Sequence, residues 1–190
     1  MPEISFKNIL DTPNDFQLKL LEYRNNPEIY RYFLTHEVTL EDHKKWLQSL
    51  KESKSKAVYI FFYDGRPAGQ VSITGYDKEN KTLETGNYLF SLTEFAGKGL
   101  AFAAMVYFID FIFSKLEAEH INIEVFEKNT KALKYNERLG YKVYGSRMFG
   151  EEKLLLLSLT KDAWLSTRPA LEENLKRGNY SLKGEIENGF

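Results

Sequence analysis

The sequence predicts one α/β domain of α+β organisation, with a sheet of about seven strands, flanking helices and a further C-terminal helix. Three observations carry this. Short apolar or alternating blocks, bounded by turn residues, recur as strands do. The segment Leu100 to Leu116 is apolar nearly all round at helical spacing, as a buried helix requires. A chain of 190 residues, 43% apolar and 28% charged, can bury a full core and is not collagenous, purely coiled-coil or disordered.

Taken in order, residues 4–10 read as a strand ended by Asp11-Thr12-Pro13-Asn14. Residues 15–25 read as a helix with Phe16, Leu18, Leu20, Leu21 and Tyr23 as apolar positions, broken at Asn26-Pro27 because proline disfavours helix in the residue before it. Thr39 is an expected N-cap, with Glu41 and Asp42 in the first turn of a helix to about Ser53. Residues 57–63, 68–76 and 82–92 read as three antiparallel strands, the first two joined by the hairpin signal Asp64-Gly65. The helix 100–116, a strand 121–127 and a helix 129–139 capped by Gly140 follow. Residues 141–148 and 153–159 are the last strands. Residues 161–177 read as a helix kinked or restarted at Pro169, and 179–190 as a loose tail. The main domain is drawn over 1–165, with 166–190 as C-terminal helix and tail.

Composition excludes several functions. A balance of 26 Lys+Arg against 27 Asp+Glu argues against a nucleic-acid binder. The absence of cysteine excludes disulfides, thiolate zinc sites and a cysteine nucleophile. The three histidines lack ligand spacing, so no metal is expected. No apolar stretch reaches membrane-spanning length, and residues 1–10 do not read as a signal peptide, so a cytoplasmic protein without a membrane partner is expected.

Two segments carry chemistry. Gly97-Lys98-Gly99 joins a strand to the helix starting at Leu100, where free N–H groups and the helix dipole favour an anion. By itself this fits either a pyrophosphate site or a tight turn, and it is neither a P-loop nor a dinucleotide fingerprint. Downstream, strand alternation puts Ile121, Ile123 and Val125 on one face and Asn122, Glu124 and Phe126 on the other. Asn129 then opens a helix in which Ala132, Asn136 and Leu139 share a face, flanked by Tyr135.

Together these segments resemble the GNAT superfamily of acetyl-CoA-dependent N-acetyltransferases, over roughly residues 4–160. The coenzyme motif Gln/Arg-x-x-Gly-x-Gly/Ala falls on residues 96–101, where Gly99 and Ala101 fit and Ala96 departs. The second motif fits at Asn129, Ala132, Leu139, Gly140 and Tyr141. The resemblance implies a mixed sheet with a V-shaped splay and acetyl-CoA as co-substrate. It implies that Gly97, Lys98, Gly99, Leu100 and Ala101 hold the phosphates, with Asn129 also at the coenzyme site. The strand edge from Phe90 to Leu92 would pair with the pantetheine arm, and a backbone N–H near Leu92 would polarise the thioester carbonyl.

The attacking amine must be unprotonated, which calls for a general base. Glu124 is the choice, with burial expected to raise its pKa, and Glu84 is the alternative. Many family members have a tyrosine where this chain has Asn136, which can donate a hydrogen bond to the departing thiolate but cannot deliver a proton. The adjacent Tyr135 is the candidate to replace it.

The Arg24-Asn25-x-Pro27-x-Ile29 turn and the helical His43-x-x-Trp46 resemble N-acetyltransferases of nucleotide-linked 4-amino-4,6-dideoxy sugars. On that basis Arg24, Phe33, His43 and Trp46 line an acceptor pocket, with Tyr88 opposite, for a small amine of the UDP-amino-sugar class. The plainer accounts are a helix-capping Arg24, a solvated His43 and a core Trp46. Acetylation of a protein N-terminus or a polyamine, and a silent acyl-CoA-binding module, stay open, as does a homodimer.

Overall fold

The computed structural model describes residues 3–34, 37–90 and 99–190. In chain order its strands are β1 (Glu3–Asn8), β2 (Ala57–Tyr63), β3 (Arg66–Asp77), β4 (Thr82–Phe90), β5 (His120–Phe126), β6 (Lys142–Phe149), β7 (Glu152–Thr160) and β8 (Ser181–Leu182). Its helices are α1 (Asn14–Arg24), α2 (Pro27–Tyr30), α3 (Leu40–Lys51), α4 (Leu100–Lys115), α5 (Thr130–Arg138) and α6 (Lys161–Gly178). The strands form one sheet in the order β6-β7-β5-β4-β3-β2-β1-β8. It is mixed: β4–β5 and β1–β8 are parallel, and the other pairs are antiparallel.

The unbroken apolar run of β2 is explained by burial on both faces. Ala57, Tyr59 and Phe61 enter the main core, while Val58, Ile60 and Phe62 enter a smaller one with Ile9, Leu20 and Leu50. So α4 and α6 cover one face of the sheet, and α1 and α3 the other. The main core is centred on α4, where Leu100, Val106, Phe108, Ile109 and Ile112 are fully buried. Asp110 ties α6 to α4 by accepting from Trp164 Nε1 at 2.9 Å and Arg168 Nε at 2.8 Å. No helix among the described residues is long and apolar enough to cross a membrane.

Several expectations need correction. The sheet has eight strands because the short β8 covers the free edge of β1. The first strand ends at Asn8, whose side chain caps a 3-10 turn over Ile9–Asp11. The expected break at Asn26-Pro27 is followed at once by the one-turn α2, with Pro27 in its first turn and the Asn26 side chain accepting from Glu28 N–H at 2.9 Å. Pro169 does not interrupt α6, since the carbonyl it frees is on Leu165, which is exposed. Residues 166–190 share the main core through Leu171, Leu175 and Ile186.

The tail is not loose. The hydroxyl of Tyr59, only 1% exposed, donates to Glu187 C=O and accepts from Gly189 N–H, both at 3.0 Å. Phe190 stacks on Tyr76 with centroids 4.8 Å apart. Burial pushes the Tyr59 hydroxyl to a pKa of about 12. Deleting residues 187–190 removes both hydrogen bonds of this hydroxyl, worth about 0.5–1.5 kcal/mol each, and the ring stack, worth about 1 kcal/mol more. Urea titration should read the loss as a lower midpoint with the slope little changed.

Candidate active site

Strands β4 and β5 pair for three rungs and then part. Thr82, Leu83 and Glu84 face His120, Ile121 and Asn122, and beyond that rung no ladder joins the strands up to Phe90 and Phe126. The cause lies on the other edge of β4. Gln70 pairs with Leu89 and Ser72 with Gly86, so β4 takes three steps where β3 takes two. The extra residue is a bulge, and bulges bend strands. β5 meanwhile stays paired with β7 as far as Phe126. The gap is a cavity of about 700 Å³ lined by both strands, by α5 and by the segment after α1.

The first turn of α4 borders this gap. The hydroxyls of Tyr88 on β4 and Tyr135 on α5 both donate to the Ala101 carbonyl, that of Tyr135 at 3.1 Å. The two rings stack, with centroids 6.0 Å apart. Burial raises the pKa of both hydroxyls, that of Tyr135 well above the ordinary value, so both stay protonated at neutral pH. Gly99 is the N-cap of α4 in the left-handed conformation (φ 80°), which favours glycine, and it has no side chain to cap the helix. A 16-residue helix that starts at a glycine beside a parted strand pair fits a phosphate-bearing acyl carrier laid along the gap. The Leu100 side chain is fully buried in the core, so only its backbone faces that site. Leu92, Gly97 and Lys98 lie outside the described residues.

The other cofactor expectations are placed as follows. Phe90 ends β4, lines the gap and stacks on Phe61. Asn129 lines the gap and is the N-cap of α5, accepting from Ala132 N–H at 3.2 Å. Asn136 also lines the gap, but its amide donates back to Ala132 C=O at 2.9 Å.

The burial expected for Glu124 is not found. Its carboxylate is solvent-accessible and forked by Arg147, with Nε to Oε1 at 2.8 Å and Nη2 to Oε2 at 2.5 Å. The strand order β6-β7-β5 means that Arg147 reaches across β7 to do this. The fork, with the Glu124 hydrogen bond as its main cause, raises the Arg147 pKa. Each carboxylate oxygen has a second lone pair, so an acceptor position toward the gap survives. Glu84 sits on the last paired rung, at the base of the splay.

Of the acceptor residues, Phe33 and Tyr88 line the gap, and the Arg24 guanidinium stands 4.9 Å over the Phe33 ring. Burial lowers the Arg24 pKa. His43 and Trp46 do not join them, which corrects the expected single pocket. They pair with each other at 5.3 Å on α3, where Trp46 packs on the small core of Ile9, Leu20 and Leu50. His43 is buried with no hydrogen-bond partner for Nε2 among the described residues, and desolvation lowers its pKa. Helical spacing puts both on one helix face, but that face does not meet the gap. Tyr23 and Ile29, which flank or belong to the turn motif, line the gap without having been assigned to the pocket, and Arg147 and Tyr32 carry no local signal at all.

The strand order and the parted parallel pair, with a helix starting at a glycine beside it, fit an acyl-CoA-dependent acyltransferase. Residues 10–142 match the acetyltransferase (GNAT) domain family, and the chain belongs to it. It is an acetyltransferase that uses acetyl-CoA. Among relatives, it is 26% identical over 142 residues to the acetyltransferase PseH of Campylobacter jejuni subsp. jejuni serotype O:23/36 (strain 81-176), covering 74% of this chain and 86% of that protein. Campylobacter jejuni PseH in complex with acetyl coenzyme A has the same fold, with a TM-score of 0.63 at 21% identity over 83% of this chain and 99% of that one. So has spermidine N-acetyltransferase from Vibrio cholerae in complex with CoA and spermine, with a TM-score of 0.74 at 15% identity over 85% and 98%.

Proposed function

We propose that this acetyltransferase acetylates the primary amine of a nucleotide-linked amino sugar, by direct attack within a ternary complex. One observation carries the reading. The gap between β4 and β5 has the start of α4 on one side and, on another, a wall of Tyr23, Ile29, Tyr32 and Phe33, with Arg24, itself outside the lining, stacked over Phe33. Aromatic faces suit a stacked base, and a guanidinium suits a diphosphate. The likeness to PseH supports the same class.

Acetyl-CoA supplies an activated acyl group. The chain's own groups do the rest. Gly99, Leu100 and Ala101 offer backbone donors at the helix start, and Phe90 offers a strand edge to an amide-rich arm. Glu124 takes the amine's proton through its free lone pairs, directly or by one water, while Arg147 fixes its rotamer. Tyr135 donates to the departing sulfur. Tyr88 keeps the Ala101 carbonyl satisfied when Tyr135 turns away from it, which favours Tyr135 over Asn136 for this role.

A second reading has its own support. The charged residues that line the gap are carboxylates, Glu28, Glu84 and Glu124, a sign that suits a polyamine. Thiol release with a UDP-4-amino-4,6-dideoxy sugar, spermidine and an N-terminal peptide separates the two. The sugar nucleotide is expected to give the highest kcat/KM. A higher value with spermidine would overturn the first reading.

A further inference from the structure

We propose that Asn25 is a positioning residue whose side-chain amide sets which amine the cleft accepts. The proposal rests on the reading of the β4–β5 gap as the site of acetyl transfer. The Asn25 Nδ2 donates to Val38 C=O at 2.7 Å, and its Oδ1 accepts from Val38 N–H at 2.9 Å. An amide side chain thus makes, with one residue's backbone, the two bonds a neighbouring strand would make. The contact joins the end of α1 to the start of α3 and cinches the chain between them.

That segment needs the tie. Ile29, Tyr32 and Phe33 form the wall of the gap, yet no residue of α2 is buried and Leu34 is 43% exposed. With so little apolar burial of its own, the wall takes its position from its two ends. Those ends are firm. In α1, Leu20 and Leu21 are buried, and Gln17 donates to Ile9 C=O and Thr12 C=O at 2.9 and 3.1 Å. In α3, Leu50 is buried and Thr39 caps the helix by accepting from Asp42 N–H. Asn25 links the two, and it is not among the residues that line the gap.

Loosening the wall therefore acts on the acceptor and not on the coenzyme. Two variants test this. Asn25→Ala removes both bonds. Asn25→Asp keeps shape and the bond from Val38 N–H, but sets a carboxylate oxygen against Val38 C=O. With the two fastest amines of the panel above, each variant should raise the KM of the better amine about tenfold, equivalent to about 1.4 kcal/mol, and narrow the kcat/KM ratio between them. The KM for acetyl-CoA and kcat at saturating amine should stay within about twofold, which a general loss of structure would not allow. Hydrogen exchange on the free proteins should be about tenfold faster at Ile29, Tyr30 and Phe33. An unchanged amine KM and selectivity, or a coenzyme KM that rises in step, overturns the proposal. Should the wild type acetylate no amine, the reading of the gap fails. Exchange then decides alone, with unchanged rates overturning the clasp and faster rates upholding it.

Discussion

Gly69→Val is expected to lower the unfolding free energy by about 3 kcal/mol or more, at the upper end of the cost of overpacking a core. Even a bare Cβ at Gly69 would stand 2.1 Å from the Leu89 carbonyl oxygen and 2.4 Å from Phe61 Cζ. Neither neighbour can give. Leu89 O is backbone of β4 beside the bulge, and Phe61 is fully buried, stacked against Tyr88 and Phe90 at 5.9 and 6.3 Å. Room for the side chain requires β3 and β4 to move apart, and β4 is one wall of the gap. The variant should therefore also bind acetyl-CoA more weakly, by isothermal titration, than its loss of folded protein explains. A urea midpoint within error of wild type would show that the close approach of β3 and β4 is not needed.

Glu124→Gln is expected to reduce kcat by a factor of roughly 10²–10⁴, the span of a general-base contribution. The amide keeps the shape of the carboxylate and can still accept one bond from Arg147, so the wall of the gap is retained. What is lost is the ability to take a proton from the amine. The KM for acetyl-CoA should stay within about twofold, because a group that acts only on the amine's proton does not weaken coenzyme binding. A kcat within threefold of wild type, with the same dependence on pH, would remove Glu124 as the base. The role would then pass to Glu84 at the foot of the splay.

Much of the fold is legible in the chain because local periodicity reports which residues of an element are apolar. β2, buried on both faces, is a continuous apolar run. α4 buries residues all round its axis and reads that way. Thr39, Asp64-Gly65 and Gly140 mark a cap and two turns whose chemistry is local. The motifs at Gly99 to Ala101 and Asn129 to Tyr141 point to the coenzyme in the same local manner.

Periodicity does not report which face of the sheet an apolar helix meets. His43 and Trp46 were legible as a pair one turn apart, but α3 turns them to the small core and away from the gap. Nor does it report partners far along the chain. The splay depends on the register between β3 and β4, where one extra residue bends a strand. The Glu124–Arg147 fork spans 23 residues and crosses a strand, and the Asn25–Val38 clasp spans 13. The tail's hold on Tyr59 links positions 128 and 130 residues apart.

By itself, then, the sequence set most of the strands, helices and turns and carried the motifs that resemble a coenzyme site, since each rests on neighbours within a few residues. Only the tertiary structure decided how wide the gap opens, which carboxylate is held at its edge and by what, and which aromatic residues face it. Those outcomes rest on registers and hydrogen bonds between segments that meet only after the sheet has formed.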